Sequence, residues 1–213
     1  PYDRFVRELV TATGTTEPGA ETFNGATNFL IEKVNEENAS IATAAVSRIF
    51  LGLQVQCTQC HNHPFNDWRQ QKYWEMNAFF RQVRANRGGD RNSGMGSTLV
   101  DRDFAGEGAG ADISQAVVYY EERNGYSRTA FPVFVDGTAV PRDGRVSEVN
   151  RRQALADLIV ESEYLEKAAV NRLWGHFLGY GFTKPIDDLD FRSDGRLFAY
   201  ASAITGNTQN FAG

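Results

Sequence analysis

The sequence predicts a mainly α protein in which helices dominate, joined by long loops and one small antiparallel β element. Several stretches carry apolar residues at the spacing of an amphipathic helix. Residues 117–141 instead combine β-branched and aromatic runs with hairpin turn signals. Residues 86–116 are rich in Gly, Asp and Asn and follow neither period. The chain has 213 residues, 41% of them hydrophobic, which is enough to build one or two packed cores.

Two helices are predicted before the first cysteine, with residues 15–38 as a loop leading into an irregular or helical piece between them. The first covers residues 3–12, ends before Gly14, and carries an apolar stripe of Phe5, Leu9 and Ala12. The second begins at Ser40, a residue type that caps helix N-termini. We expect it to deliver the chain to Cys57, with an apolar stripe of Ile41, Ala45, Ile49 and Leu53.

After Pro64 a further helix is predicted from Asn66 or Asp67 to about Arg84. Its aromatic and apolar face should pack over whatever the preceding segment holds: Trp68, Tyr73, Met76, Phe79, Phe80 and Val83. Aromatic residues in such a face most often form ordinary core. Residues 86–116 are then expected to form a loop-rich insertion.

The second half of the chain opens with the β element, signalled by Asn124-Gly125 and Asp136-Gly137 turns. Helices follow at Arg151–Val160 and Glu163–Leu178, the latter closed by Gly179. An acidic tail then leads to a weakly helical stretch, residues 196–204. This pattern predicts a module of residues 1–85, an insertion of residues 86–116, and a second module of residues 117–213.

Composition excludes several classes of protein. Lys and Arg number 22 against 27 Asp and Glu, so the net charge of −5 provides no basic field for nucleic acid. No apolar run approaches the roughly 18 residues of a membrane span. The chain opens at Pro1-Tyr2 without the charged and apolar regions of a signal peptide, so we expect that a leader was removed or that this is an excerpt of a longer protein.

The two cysteines lie in one motif, Cys57-Thr58-Gln59-Cys60-His61, which is the attachment pattern of c-type haem. Thiols at positions i and i+3 share one face of a helical turn, so both can form thioethers to a single porphyrin. The next residue then directs its imidazole at the iron. Only 3 of 213 residues are His, so chance is a poor explanation for one directly after the second Cys.

Two other sites could use the same residues. A thioredoxin-like dithiol needs the motif at a helix start after a strand, whereas a helix is predicted before Cys57. A structural zinc site could use Cys57, Cys60 and His63, but a closed site needs a fourth ligand. That ligand would be His61 or the remote His176.

The sixth coordination position of a haem iron held by His61 would need His, Met, water or nothing. His176 is the first choice, and its alternative role is that of a hydrogen-bonded core histidine. Met76 is the chief competitor, while Met95 lies in the glycine-rich loop. His63 is too close to His61 to reach the opposite face with ease, and it could instead contact a haem propionate, serve another site or cap the chain before the proline.

An acidic cluster near the C-terminus resembles a partial calcium loop: Asp187, Asp188, Asp190 and Asp194, followed by Gly195. It lacks the spacing and terminal Glu of an EF-hand, which favours a solvated turn.

The residues around the motif also resemble a known family. Phe50 to Phe65, with Trp68, Tyr73 and residues 78–80, resembles the cytochrome-like domain of the large planctomycete-type cytochrome proteins. The start of the domain that follows it in those proteins is similar to three later stretches of this chain: residues 150–157, 170–176 and 185–188. The resemblance implies an exported c-type cytochrome module, with haem carried by Cys57, Cys60 and His61.

Together these observations predict a helix-dominated monohaem c-type cytochrome that moves single electrons in the periplasm or outside the cell. Redox proteins would be its partners, with a homo-oligomer or filament left open by the sequence. The alternative from another class is a zinc-stabilised binding or structural module without redox chemistry. A substrate-converting enzyme with an open distal haem position is a third alternative, and the electron carrier is preferred over it.

Overall fold

The computed structural model describes residues 1–34, 37–63, 68–86, 96–183 and 185–189. Of these described residues, 44% are helical and 12% lie in strands or bridges, and the strands form two small sheets. The protein is therefore a mixed α/β structure, and the prediction of a mainly α, helix-dominated fold is wrong. The prediction failed because some of the strands are short and pair with partners that are distant in sequence, so no local pattern marks them.

Six α-helices supply most of the regular structure: α1 (Tyr2–Thr11), α2 (Asn28–Ile31), α3 (Ser40–Leu51), α4 (Gln70–Asn77), α5 (Arg151–Glu161) and α6 (Glu163–Leu178). Short 3₁₀ turns connect them at Gly25–Thr27, Glu37–Ala39, Gln56–Gln59, Ala78–Phe80 and Ile113–Gln115. The bounds predicted for α6 are confirmed, and α5 extends one residue beyond its predicted end at Val160. Asn150 caps α5 by accepting from the Gln153 backbone N–H, and Gly179 closes α6 with a φ of +82°.

The first sheet was not predicted. It is antiparallel, in the order β1-β3-β2, and consists of β1 (Gly14–Thr15), β2 (Val83–Asn86) and β3 (Thr98–Asp101). The helix expected to reach Arg84 ends in the 3₁₀ turn Ala78–Phe80, because the following residues pair with β3 instead. The loop predicted for residues 86–116 is wrong at β3, while residues 87–95 lie outside the described part. Strands of two to four residues are too short to show a period in sequence.

The predicted β element is confirmed as a hairpin of β4 (Val118–Glu121) and β5 (Ser127–Ala130). Val118 pairs with Ala130 and Glu121 with Ser127. The turn passes through Gly125, whose φ of +83° is a backbone conformation that side chains other than Gly rarely adopt.

The buried faces of α1 and α3 differ by one residue from the predicted stripes. In α1, Phe5 is 54% exposed, whereas Val6 and Val10 are fully buried. In α3, Ile41 is 43% exposed, and the core contains its neighbours one position later: Ala42, Val46 and Phe50. Both stripes have helical spacing, so the period alone could not choose between them.

One main core joins residues from α1 to α6. Its members come from both sides of the 86–116 segment and include Val10, Leu30, Phe50, Phe79, Leu155 and Leu165. The Tyr73 and Met76 side chains of α4 belong to this core and not to a separate covering layer. The division into two modules and an insertion stays a prediction.

Two adjacent buried arginines connect α5 to the rest of the fold. Arg152 contacts both carboxylate oxygens of Asp101 at 2.7 and 2.9 Å and donates to the Val10 and Ala12 carbonyls. Arg151 donates to the carbonyls of Ala78, Ala116 and Arg142. Burial lowers the pKa of Arg151 to about 10, because removal from water penalises the charged guanidinium. These contacts hold α1, β3 and the hairpin region against one helix.

A search of the described residues for a helix long and apolar enough to cross a membrane finds none.

Candidate functional site

The cysteine motif lies on a 3₁₀ turn and not directly at the end of an α-helix. Helix α3 ends at Leu51, and Gly52 reverses the chain with a φ of +66°. A Cβ at Gly52 would meet the Leu189 side chain at 2.7 Å, so both conformation and space require Gly there. The expectation that α3 delivers the chain to Cys57 is therefore wrong, since residues 52–55 intervene.

The turn presents both thiols to solvent. A 3₁₀ helix has three residues per turn, so positions i and i+3 lie on the same side. Cys57 and Cys60 are exposed and free, whereas Thr58 between them is completely buried. The Thr58 hydroxyl donates to the Val55 carbonyl at 2.6 Å. The turn thus anchors one side chain inward and leaves two sulfur atoms available outward.

Helix α4 holds the second half of the turn. The carbonyl of Gln59 accepts from Gln70 Nε2 at 3.0 Å and from Trp74 Nε1 at 3.1 Å. The Gln59 side chain donates to the Ser40 hydroxyl at the start of α3. Gln59, just before Cys60, is therefore held to α4 by its carbonyl and to α3 by its side chain.

His61 follows the turn with an exposed imidazole whose Nδ1 lies 2.7 Å from the Asn62 carbonyl. A carbonyl only accepts, so Nδ1 carries the hydrogen in this contact. Nε2 then carries the lone pair, which is the atom and tautomer suited to ligating a metal.

His63 is half-buried and differs from His61 in its setting. Its backbone N–H donates to the Trp68 carbonyl at 2.7 Å. Residues 64–67 between these two positions lie outside the described part. Pro64, before which His63 was expected to form a polar cap, lies outside the described residues.

The β4–β5 hairpin forms the opposite wall of the site. Gln70 Nε2 also donates to the Glu121 carbonyl at 2.9 Å, and the rings of Trp74 and Tyr120 stack at 5.7 Å with 9° between their planes. Burial raises the pKa of Tyr120, and the nearby Glu122 carboxylate adds to this rise. Helix α4 therefore links the cysteine turn to the hairpin.

An open groove of about 720 Å³ lies between the turn and the hairpin. It is lined by His61, Asn62, Gln70, Glu122, Arg123 and Asn124. All of these residues are polar, so the groove offers hydrogen-bonding partners and charges. The described residues form no apolar crevice there.

The donor set fits covalent haem attachment: two free, exposed cysteines three positions apart, one in the 3₁₀ turn and one directly after it, and an imidazole with Nε2 available. The polar groove beside His61 means that the described residues would leave a haem largely exposed on that side. Residues 64–67, which follow the motif, lie outside the described part.

The two candidates for the distal ligand have opposite surroundings. His176 lies near the end of α6 and is exposed, with its ring 5.1 Å from that of Phe177. It is therefore not the buried core histidine considered as its alternative role. Met76 is 1% exposed within the main core, so its sulfur could reach an iron only if the core rearranged. Met95 lies outside the described residues.

The described residues bring together no group of three or more His, Cys, Asp or Glu side chains suited to a metal ion. In the acidic cluster, Asp187 accepts from Gln54 at 2.7 Å and lies 3.5 Å from Arg48. Asp190 and Asp194 lie outside the described part.

Sequence reasoning missed Gln70, and it missed the hairpin as a wall of the site. Gln70 is 6% exposed although it is polar and stands at the first position of α4. No local pattern marks it, because its two acceptors belong to segments 11 and 51 residues away.

Comparison with known proteins places a family match over the first part of the chain. Residues 1–85 match the model of a family described as PSCyt2, a protein of unknown function (DUF1549), which is a domain associated with planctomycete cytochromes. No curated protein and no solved structure shows significant similarity to the chain. The match covers the cysteine turn and helix α4 and ends at the third residue of β2.

Proposed function

We propose that this protein binds one haem c covalently through Cys57 and Cys60, with His61 as an axial ligand, and transfers single electrons. The observation that carries the proposal is the exposed turn with two free thiols, followed at once by an imidazole whose Nε2 is available. The match of residues 1–85 to a domain associated with planctomycete cytochromes supports it.

The two thiols would perform the attachment. Each adds across one vinyl group, so that sulfur bonds one carbon, the thiol hydrogen goes to the other, and no electrons are gained or lost. Buried Thr58 keeps the turn closed during this step by its hydrogen bond to Val55. His61 would ligate through Nε2, with Nδ1–H oriented by the Asn62 carbonyl.

The bound haem would supply a reversible one-electron couple. The turn lies at the surface, which favours transfer to a partner protein by direct approach of the haem edge. Solvent exposure is one of the factors that set the reduction potential of such a centre. We propose His176 as the distal ligand and Met76 as the alternative.

Covalent attachment of haem c takes place outside the cytoplasm, so the proposal places the protein in the periplasm or outside the cell. Its partners would be other redox proteins. Homo-oligomers or filaments remain an extension of the same proposal.

The test is expression of the chain in an exporting host that attaches haem c. The intact mass should exceed that of the polypeptide by one haem, with a pyridine haemochrome spectrum typical of two thioethers. Cys57→Ala with Cys60→Ala should abolish the added mass. His61→Ala should keep the mass and change the ferric spectrum, while the matched control His63→Ala should leave the spectrum unchanged. A colourless wild-type protein with stoichiometric zinc would establish the zinc-stabilised module instead.

The distal ligand is tested in the same system. His176→Ala should convert a low-spin ferric spectrum to high-spin or open the iron to added imidazole. An unchanged low-spin spectrum with a sulfur-to-iron charge-transfer band would transfer the assignment to Met76. A wild-type protein that is already high-spin would favour the enzyme with an open sixth position.

A further inference from the structure

We propose that Gln70 is a positioning residue that holds the cysteine turn, His61 and the β4–β5 hairpin in one fixed arrangement. In its haem-bound form this inference rests on the proposed function, but the geometry of the turn can be tested without haem. Gln70 is 94% buried at the first position of α4, a place where helices more often expose polar side chains.

The first argument is the use of both amide hydrogens. The side-chain NH₂ of Gln70 has two hydrogens, and each has a backbone acceptor: the carbonyls of Gln59 and Glu121 at 3.0 and 2.9 Å. One acceptor directly precedes Cys60, and the other lies at the end of β4. A single amide therefore bridges the thiol-bearing turn and the hairpin.

The second argument is the contact on the other side of His61. The backbone N–H of Gln70 donates to Asn62 Oδ1 at 3.0 Å, so a residue from the loop caps the start of α4. Gln70 therefore contacts the residue before Cys60 and the residue after His61. The orientation of the segment between these two contacts depends on one helix position.

The third argument is that the chain provides a second donor to the same carbonyl. Trp74 lies one helical turn after Gln70, and its Nε1–H also reaches the Gln59 carbonyl while its ring stacks on Tyr120. Gln70 and Trp74 thus each connect the cysteine turn to the hairpin through α4. Because Trp74 keeps its contacts, loss of the Gln70 side chain should weaken this connection without removing it.

The test is Gln70→Glu, which keeps the shape of the side chain and replaces both N–H donors by oxygen. The matched control is Gln71→Glu, the same chemical change at the next position, where the side chain is exposed and donates to Glu75. Gln70→Ala serves as a second variant that removes the donors without placing a charge among the carbonyls.

Amide hydrogen exchange in the haem-free protein measures the opening of the turn. The Thr58 and His63 amides donate to Val55 and Trp68 and report the two ends of the segment. Their exchange should become about tenfold faster in Gln70→Glu, as expected for the loss of about 1.4 kcal/mol of hydrogen bonding, with little change in Gln71→Glu. The ring nitrogen signals of His61 should also move from the Nδ1–H form towards a mixture of tautomers.

If Gln70 had a purely structural role, Gln70→Glu would change amide hydrogen exchange throughout the core and would leave the His61 tautomer unchanged. In haem-bound protein, Gln70→Glu should alter the ferric spectrum and reduction potential relative to Gln71→Glu. If wild-type protein binds no haem, the proposed function fails, while exchange and tautomer still decide the role of Gln70. Equal behaviour of Gln70→Glu and Gln71→Glu overturns the inference, as does loss of the whole fold in both Gln70 variants.

Discussion

The polar groups of the buried arginine pair and those of the cysteine turn have opposite surroundings. Arg151 and Arg152 are fully buried, and carbonyls and one carboxylate from distant segments surround their guanidinium groups. Cys57, Cys60 and His61 are exposed, and the contacts of their turn are made by the backbone and by neighbouring side chains. In this protein the buried polar groups stabilise the fold. The groups suited to chemistry, the two thiols and the imidazole, are exposed to solvent.

This difference predicts how stability should respond to substitution. Removing a buried, paired charge leaves several polar partners unsatisfied, which costs much more than removing an exposed group. The turn should therefore tolerate changes at its exposed atoms and resist changes at its buried ones.

The largest effect is expected for Arg152→Ala. The substitution removes the fully buried donor of the Val10 and Ala12 carbonyls and leaves the Asp101 carboxylate with only the Asn150 side-chain amide among its printed side-chain donors. We expect a loss of about 4 kcal/mol in the free energy of unfolding, measured by urea denaturation. Arg102→Ala, at an exposed neighbour of Asp101, should change it by less than about 0.5 kcal/mol. Equal effects at the two positions would contradict this account.

A smaller effect is expected for Thr58→Val, inside the cysteine turn itself. The variant keeps the shape and loses the hydroxyl that donates to Val55, at a position that is completely buried. We expect about 1 kcal/mol of destabilisation, since the Val55 carbonyl still accepts from the Thr58 backbone N–H. Thr129→Val on the exposed side of β5 is the control. A stabilised Thr58→Val protein would show that the hydroxyl does not anchor the turn.

The pH dependence of stability should report Tyr73, which packs beneath the turn. Burial raises the pKa of its hydroxyl above the ordinary value of 10, and the neighbouring Cys60 adds to the rise. The unfolded chain therefore ionises first, so the contribution of Tyr73 is present below pH 10 and is lost as the pH rises through the folded pKa.

Tyr73→Phe should make this alkaline loss of stability smaller, as measured by thermal unfolding from pH 8 to 11. Arg151, whose pKa is lowered to about 10, acts with the opposite sign in the same range, so the difference between variant and wild type is the quantity to compare. Parallel curves for the two proteins would show that Tyr73 is not the group responsible.

The smallest effect is expected for Cys57→Ser combined with Cys60→Ser. Both thiols are exposed and free, so the haem-free variant should unfold within about 0.5 kcal/mol of the wild type. The same variant should lose all covalent haem under the proposed function. A large loss of stability in the haem-free variant would show that the thiols contribute to the core of the fold, as the arginine pair does, and would contradict the comparison.

Much of the local structure could be predicted because its signals are local. The turn at Asn124-Gly125 and the closing Gly179 each act within a few residues, and both occur as expected. The motif of the candidate site is likewise contiguous. The first sheet could not be predicted, because Gly14 and Leu99 pair across a long stretch of chain and neither strand has enough residues to show alternation.

The faces of α1 and α3 show a finer limit. A stripe through Phe5 and one through Val6 both have helical spacing, so the choice depended on what packs against the helix. Helix α1 packs on α5, which no pattern within residues 2–11 reveals. The fold class was wrong for the same reason. A mainly α prediction rested on helical periodicity, which does not reveal strands that pair with distant segments.

The chemistry available to this chain is readable from its residues alone: two thiols and an imidazole in one short segment, and no second cysteine motif. Tertiary structure decided which of these atoms are accessible, that the segment is a 3₁₀ turn, and that Gln70 and the hairpin hold it. The physical reason is that covalent sequence brings together residues a few positions apart, whereas burial and hydrogen bonding depend on segments that meet only after folding.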